Sequence, residues 1–288
     1  MFNELLKMID TLSLQEFGIA SDRIIEYIDH CDDFKEILKQ IGTIPERVEH
    51  DSKQEKLFAK ASDAVLSRAF RELGLKSTVL GQRSDSADVL AESKYYGYTL
   101  VADAKAFRLS RTARNQKDFK VTALSGWRKD ADYAVLCSPY FQYPVKKSQI
   151  YAQAVDENVC LFSWEHLMFL LDNKVEETEK VSLSEIWNAS GKYADCCVVS
   201  EKKRCFLPEI NKIVFDIAKS NAADFEKFLK KCCNNISCRA AEETSFWEDE
   251  ITKISSYTKE QAITELIRTK KINEKIARIR AYVAGIKK

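Results

Sequence analysis

Apolar positions divide the chain into stretches with helical spacing and stretches with strand-like spacing. Over residues 1–50, Leu5, Ile9, Leu12, Phe17, Ile24, Ile25 and Ile28 recur at helical intervals, which predicts two or three short helices. From residue 57 onward, Leu57, Phe58, Ala61, Val65, Leu66, Ala69, Phe70 and Leu73 make one stripe of a longer helix. Ser52 followed three residues later by Glu55 reads as a capping box that opens this helix, and Gly74 reads as its stop.

The period then shortens. Ala87–Ala91 and Tyr98–Ala104 are brief, apolar and β-prone, so they predict two neighbouring strands with a turn at Gly97. A helix over about 116–129, a strand Tyr133–Cys137, a helix over about 147–157, a strand Val159–Phe162 and a helix opened by Ser163 follow. Strands alternating with helices predict an α/β core across residues 51–175, preceded by a helical region at 1–50. Residues 176–288 read as mainly helical, ending in a helix capped by Thr258 with Gln261 and carrying Ile263, Leu266, Ile267, Ile276, Ile279 and Val283.

Composition narrows the class. The 8 Gly and 4 Pro leave few tight turns, and 45% hydrophobic with 31% charged residues describes a globular chain able to bury a sizeable core. Glu4 and Asp10 interrupt the start where a signal peptide needs an apolar run, and no apolar run is long enough for a bilayer, so a cytoplasmic location is expected. Nine Cys without an export signal fit reduced thiols. Neither Cys196-Cys197 nor Cys232-Cys233, with Cys205 and Cys238 nearby, has zinc-ligand spacing. His30, His50 and His166 show no metal-ligand pattern, and no GxxxxGK[ST] loop points to ATP.

The candidate chemistry lies at the end of the strand Tyr98–Ala102. Asp103 and Lys105 stand two residues apart, so their side chains share one face of an extended chain. A turn near Gly97 would bring Asp88 beside them. Carboxylate oxygens are the ligands Mg²⁺ accepts, and a neighbouring ammonium can orient the attacking water or stabilise a phosphate. The acid-x-Lys form also occurs at Asp33, Asp51, Glu92, Asp118 and Asp172, but only Asp103 ends a buried-strand run. A structural salt bridge is the competing account of the same residues. Glu55 has two readings as well, half of a capping box or a further metal ligand delivered by the helix.

Beyond the lysine, Lys105, Arg108, Arg111, Arg114, Lys117 and Lys120 recur every third residue, opposed locally only by Asp118, in a chain whose net charge is +1. Basic charge concentrated beside the candidate site suits a phosphate backbone, with Ser110, Thr112, Asn115 and Gln116 able to touch phosphates or bases. A solvated charged face is the bland alternative. The C-terminal cations Lys270, Lys271, Lys275, Arg278 and Arg280 are accompanied by Glu265 and Glu274, and read as a solvated face or a subunit contact.

Longer runs carry a resemblance. Gln54-Glu55-Lys56-Leu57-Phe58, Val101-Ala102-Asp103-Ala104-Lys105 with Phe107-Arg108-Leu109-Ser110-Arg111, Asn115-Gln116-Lys117-Asp118-Phe119-Lys120 and Ser163-Trp164-Glu165-His166-Leu167 closely resemble the HindIII-type restriction endonucleases, within the PD-(D/E)xK nuclease group. The likeness is strongest across about 51–170. It implies an α/β core with a central mixed sheet flanked by helices, plus helical N- and C-terminal additions. It makes Asp88 the first metal-binding acid, fifteen residues before Asp103, and Lys105 the catalytic lysine. Glu55 and the Ala104 backbone carbonyl are further candidate ligands, and Ala87 replaces the Pro that names the wider group. The implied cofactor is Mg²⁺, with Mn²⁺ able to substitute. The implied substrate is duplex DNA, cut by a homodimer at a palindrome, AAGCTT after the first A, leaving 5′-phosphates beside a companion methyltransferase. Arg108, Arg111, Arg114, Asn115, Lys117 and Lys120 are the expected DNA contacts. A repair or structure-selective nuclease, and a DNA-binding protein without catalysis, are the alternatives.

Overall fold

Helices α1 (Phe2–Leu12), α2 (Phe17–His30) and α3 (Phe34–Leu38) form because their apolar residues fall on one side, and that side is buried. A computed structural model describes residues 1–81, 86–111 and 116–286. Helix α4 (Lys53–Glu72) starts where Ser52 Oγ accepts the Glu55 amide at 3.1 Å. The return bond of a capping box is displaced by one residue: Glu55 Oε2 accepts from the Asp51 amide at 2.7 Å instead of from Ser52. The helix stops at Gly74, whose φ of +91° favours glycine and where a Cβ would lie 2.8 Å from the Glu177 carbonyl oxygen.

Five strands follow: β1 (Lys76–Val79), β2 (Val89–Glu92), β3 (Thr99–Ala104), β4 (Tyr133–Ser138) and β5 (Val159–Ser163). They form one mixed sheet in the order β1-β2-β3-β4-β5, antiparallel over its first two pairings and parallel over the last two. The pattern of apolar residues missed β1 because this four-residue edge strand fully buries only Ser77.

The expected helix over 116–129 is two helices, α5 (Gln116–Phe119) and α6 (Val121–Arg128), separated by Lys120 at φ +51°. Positions two apart on a straight helix point about 200° away from each other. The break lets Phe119 and Val121 both enter the core, where Phe119 meets the rings of Phe107 and Tyr143. Helix α7 (Gln149–Asp156) connects β4 to β5, and α8 (Trp164–Asp172) opens where Ser163 Oγ accepts the His166 amide at 3.0 Å. Next come α9 (Ser184–Trp187), α10 (Ala189–Cys196), α11 (Leu207–Ile217) and α12 (Ala222–Ser255). Helix α4 lies against β1, β2 and β3, while α6, α7, α9 and α10 cover the β4 and β5 side.

The chain divides into two units, Met1–Ser237 and Cys238–Lys288. The second holds the end of α12, then α13 (Lys259–Thr269) and α14 (Ile272–Ile286). Thr258 and Gln261 do form a full capping box, but the single long helix expected there is interrupted at Lys271, where φ is +50°. Its apolar residues Ile263, Leu266, Ile276 and Ile279 are exposed rather than core. All nine cysteines are free thiols. Among the described residues, no helix is long and apolar enough to cross a membrane.

Candidate active site

Strand register brings the acids together. Val89 of β2 stands opposite Ala102 of β3, so the next residue outward, Asp88, falls across from Asp103. The Leu80 amide donates to the Asp88 carbonyl at 2.8 Å and fixes this end of the hairpin. Asp103 is 1% exposed, and Lys105 Nζ ion-pairs with its Oδ2. Ala104, between them, pairs with Cys137 of β4.

The backbone of Lys105 is held on both sides. Its amide donates to the Cys137 carbonyl at 2.7 Å, and its carbonyl accepts from Trp164 Nε1 at 2.9 Å. The Ser163–Leu167 run therefore supports the end of β3 through an indole hydrogen bond. Gly42 admits that indole, because a Cβ there would come within 2.7 Å of Trp164 Cδ1, and its carbonyl accepts the Phe107 amide at 3.0 Å.

Two charged residues absent from the sequence reading complete the cluster, both from α4. Lys60 Nζ lies 3.1 Å from Asp63 Oδ2 and 3.8 Å from Asp88 Oδ1. Burial pushes the Asp63 carboxyl well above its ordinary range, the charges of Asp88 and Asp103 push it further, and Lys60 opposes them. Asp88 is raised for the same reasons, burial first and Asp103 second, against Lys60, Lys105 and Lys120. The signal for Lys60 and Asp63 was present in the sequence. Ala61, Ser62, Ala64 and Ser67 surround them with small residues, the mark of a helix enclosed on nearly every side, so charges at that depth need partners.

Glu55 occupies a different place. Its oxygens accept from Arg108 Nη1 and from the Asp51 amide. Eight residues of helix separate it from Asp63, about 12 Å along the axis. His50, which shows no ligand pattern in the sequence, joins Asp51 and Glu55 in a group whose ligand atoms all lie within 4.8 Å of one another. Among the described residues no other trio of His, Cys, Asp or Glu is drawn so close. Asp63, Asp88 and Asp103 are thus held further apart, with the ammonium groups of Lys60 and Lys105 paired to them.

The basic segment is less free than its local sequence suggests. Arg108 also donates to the Val48 carbonyl at 2.6 Å, so Glu55 supplies a counter-charge from fifty-three residues away. Arg111 pairs with Asp118 and lies 3.9 Å over the centre of the Phe107 ring. Glu46 accepts from the amide and the hydroxyl of Ser110 at 3.0 and 2.8 Å. Lys117 and Lys120 are exposed, and the charge of Lys120 reaches Asp88. Arg114 and Asn115 lie outside the described residues.

Chemically, the donor set at Asp88 and Asp103 is hard oxygen, and burial, followed by the neighbouring Asp103 charge, raises the Asp88 carboxyl above its ordinary range despite three nearby lysines. Both properties fit a divalent cation of the Mg²⁺ type.

The family model described as HindIII restriction endonuclease matches residues 20–283. The chain is also similar to the Type II restriction enzyme HindIII of Haemophilus influenzae, 45% identical over 286 residues that cover 99% of this chain and 95% of that protein.

Proposed function

The chain belongs to the HindIII restriction endonuclease family, and from that premise we propose how its own residues perform the reaction. It is a Type II restriction enzyme, a site-specific deoxyribonuclease that hydrolyses phosphodiester bonds in DNA. Asp88 and Asp103, with the Ala104 carbonyl, would hold Mg²⁺, for which Mn²⁺ can substitute. When bound, the ion supplies positive charge against the charge that develops on the phosphate. Lys105 Nζ orients the attacking water, and β4 and Trp164 keep that lysine's backbone from drifting. At the Asp88–Asp103 pair Glu55 acts through Arg108 and the start of α4, and any ligand role it has lies apart from that pair, with His50 and Asp51.

The sheet and its paired acids are read as a PD-(D/E)xK nuclease core. The recognition site proposed is AAGCTT, cut after the first A with 5′-phosphate ends. A palindrome asks for two identical readers, so the acting form is a homodimer in which each subunit cuts one strand. A companion methyltransferase protects the same sequence, and both enzymes work in the cytoplasm where the DNA lies. Lys117, Lys120, Arg114 and Asn115 contact the duplex. Arg108 and Arg111 reach it by exchanging Glu55 and Asp118 for phosphate oxygens.

The observation that carries the site assignment is the β2–β3 register that sets Asp88 across from Asp103 beside Lys105. Plasmid digestion with and without Mg²⁺, followed by sequencing of the ends, tests reaction, cofactor and recognition together. Asp103→Asn and Lys105→Ala are expected to abolish cutting while leaving a folded protein that binds DNA. Near-normal cleavage by either variant removes that residue from the site.

A further inference from the structure

Helix α4 is buried on nearly every side between Leu57 and Phe70, and Lys60 and Asp63 lie within that stretch, 7% and 5% exposed. An ammonium persists at that depth only where carboxylates face it. Lys60 has two, Asp63 at hydrogen-bonding distance and Asp88 at the longer range of an ion pair. Lys105 serves Asp103 in the same way. The five groups therefore carry three acids against two cations, and Asp88 has the loosest partner of the three.

We propose that Lys60 is a positioning residue that acts as an internal counter-ion, holding the Asp88 carboxylate before a divalent cation arrives and competing with that cation for it. Asp63 sets the strength of the competition by anchoring the ammonium on the helix, at the longer distance from Asp88. The inference rests on the reading of Asp88 and Asp103 as metal ligands. Its consequence is that α4, which contributes no ligand in this reading, tunes how much Mg²⁺ the enzyme requires. Removing Lys60 leaves Asp88 uncontested, and the cation binds more tightly. Removing Asp63 releases Lys60 toward Asp88, and the cation binds less tightly.

Mn²⁺ binding to the full-length, DNA-free protein, followed by electron paramagnetic resonance and checked by Mg²⁺ calorimetry, measures this directly. Lys60→Met is expected to lower the metal dissociation constant, and Asp63→Asn to raise it, each by roughly tenfold or more for one charge at ion-pair distance in a mostly buried setting. General damage to the helix would weaken binding in both. If Lys60→Met yields too little folded protein, Lys60→Met combined with Asp63→Asn removes the pair together and is expected to return the affinity toward wild type. A double variant that binds as weakly as Asp63→Asn alone overturns the proposal, because Asp63 would then be acting on the metal directly. Equal or weaker binding by Lys60→Met overturns it too. Asp103→Asn is the separate control: metal binding unchanged in that variant refutes the ligand assignment, whereas loss there with no effect of Lys60 refutes only the counter-ion.

Discussion

Glu165 and His166 are neighbours in the first turn of α8, and burial moves them in opposite directions. Burial raises the Glu165 carboxyl from 4.5 to about 7, against the Tyr140 amide that donates to it at 2.8 Å. His166 lies between the rings of Phe162 and Phe225, with Ser163 and Asn211 at its two nitrogens. Burial lowers it from 6.5 to about 4, with Asn211 opposing. For Glu165, the folded protein holds a proton that the unfolded chain has lost between pH 4.5 and about 7, so stability falls as pH rises through that window. For His166, the unfolded chain takes a proton that the folded protein refuses between about 4 and 6.5, so stability falls as pH drops through that window. The two slopes oppose each other where the windows overlap. Each full shift is worth about 3 kcal/mol at about 1.4 kcal/mol per pH unit. Glu165→Gln keeps an oxygen for the Tyr140 amide and removes one slope. Urea unfolding from about pH 4 to about pH 8 should show the variant matching wild type at the acidic end and exceeding it by about 3 kcal/mol above pH 7. Taking the difference between the profiles cancels the titration of Asp63, Asp88 and the other acids. A difference that stays constant across the range would refute the argument.

Three further outcomes follow from the same structure. Arg108→Ala should cost about 1–2 kcal/mol of stability even without DNA, because it strands Glu55 and the Val48 carbonyl, whereas Lys120→Ala should leave stability unchanged and lower the salt slope of DNA binding by about one unit. Thermal melts and binding across a salt series separate them, and an Arg108→Ala protein as stable as wild type would return that residue to the solvated face. Ca²⁺ should support DNA binding without cutting, since oxygen ligands accept it but its geometry is looser; cleavage that persists in excess chelator would end the metal assignment.

Periodicity made most of the fold legible where one face was buried. The stripe from Leu57 to Leu73, the run Tyr98–Ala104 and the Ser163 cap all appear where the pattern predicts them. The break at Lys120 was not legible, because a non-glycine residue adopts a left-handed backbone there where Phe119 and Val121 both reach the core; the break at Lys271 falls among exposed residues, where the apolar pattern carries no packing signal. Asp88, Asp103 and Lys105 could be grouped from the strand pattern and the hairpin between them. Lys60 and Asp63 stand out in the sequence only as charges on an enclosed helix; their link to Asp88, at a strand end nearly thirty residues after Lys60, comes from the fold. The counter-charge of Arg108 escaped for the same reason: a count of neighbouring acids sees Asp118 but not Glu55, which only the folded chain delivers.

The hydrogen bond from the Trp164 indole to the Lys105 carbonyl has an optical consequence. Indole emission responds to the polarity and field at its nitrogen, and this nitrogen touches the backbone of the strand end that carries Asp103. Of the four tryptophans, Trp247 is exposed and Trp187 donates to the Tyr98 hydroxyl, away from that carbonyl. With Trp127, Trp187 and Trp247 replaced by Phe, the remaining fluorescence would come from one native chromophore seated behind the lysine. Its wavelength would follow, in real time and without a label, whether that strand end shifts as DNA is engaged.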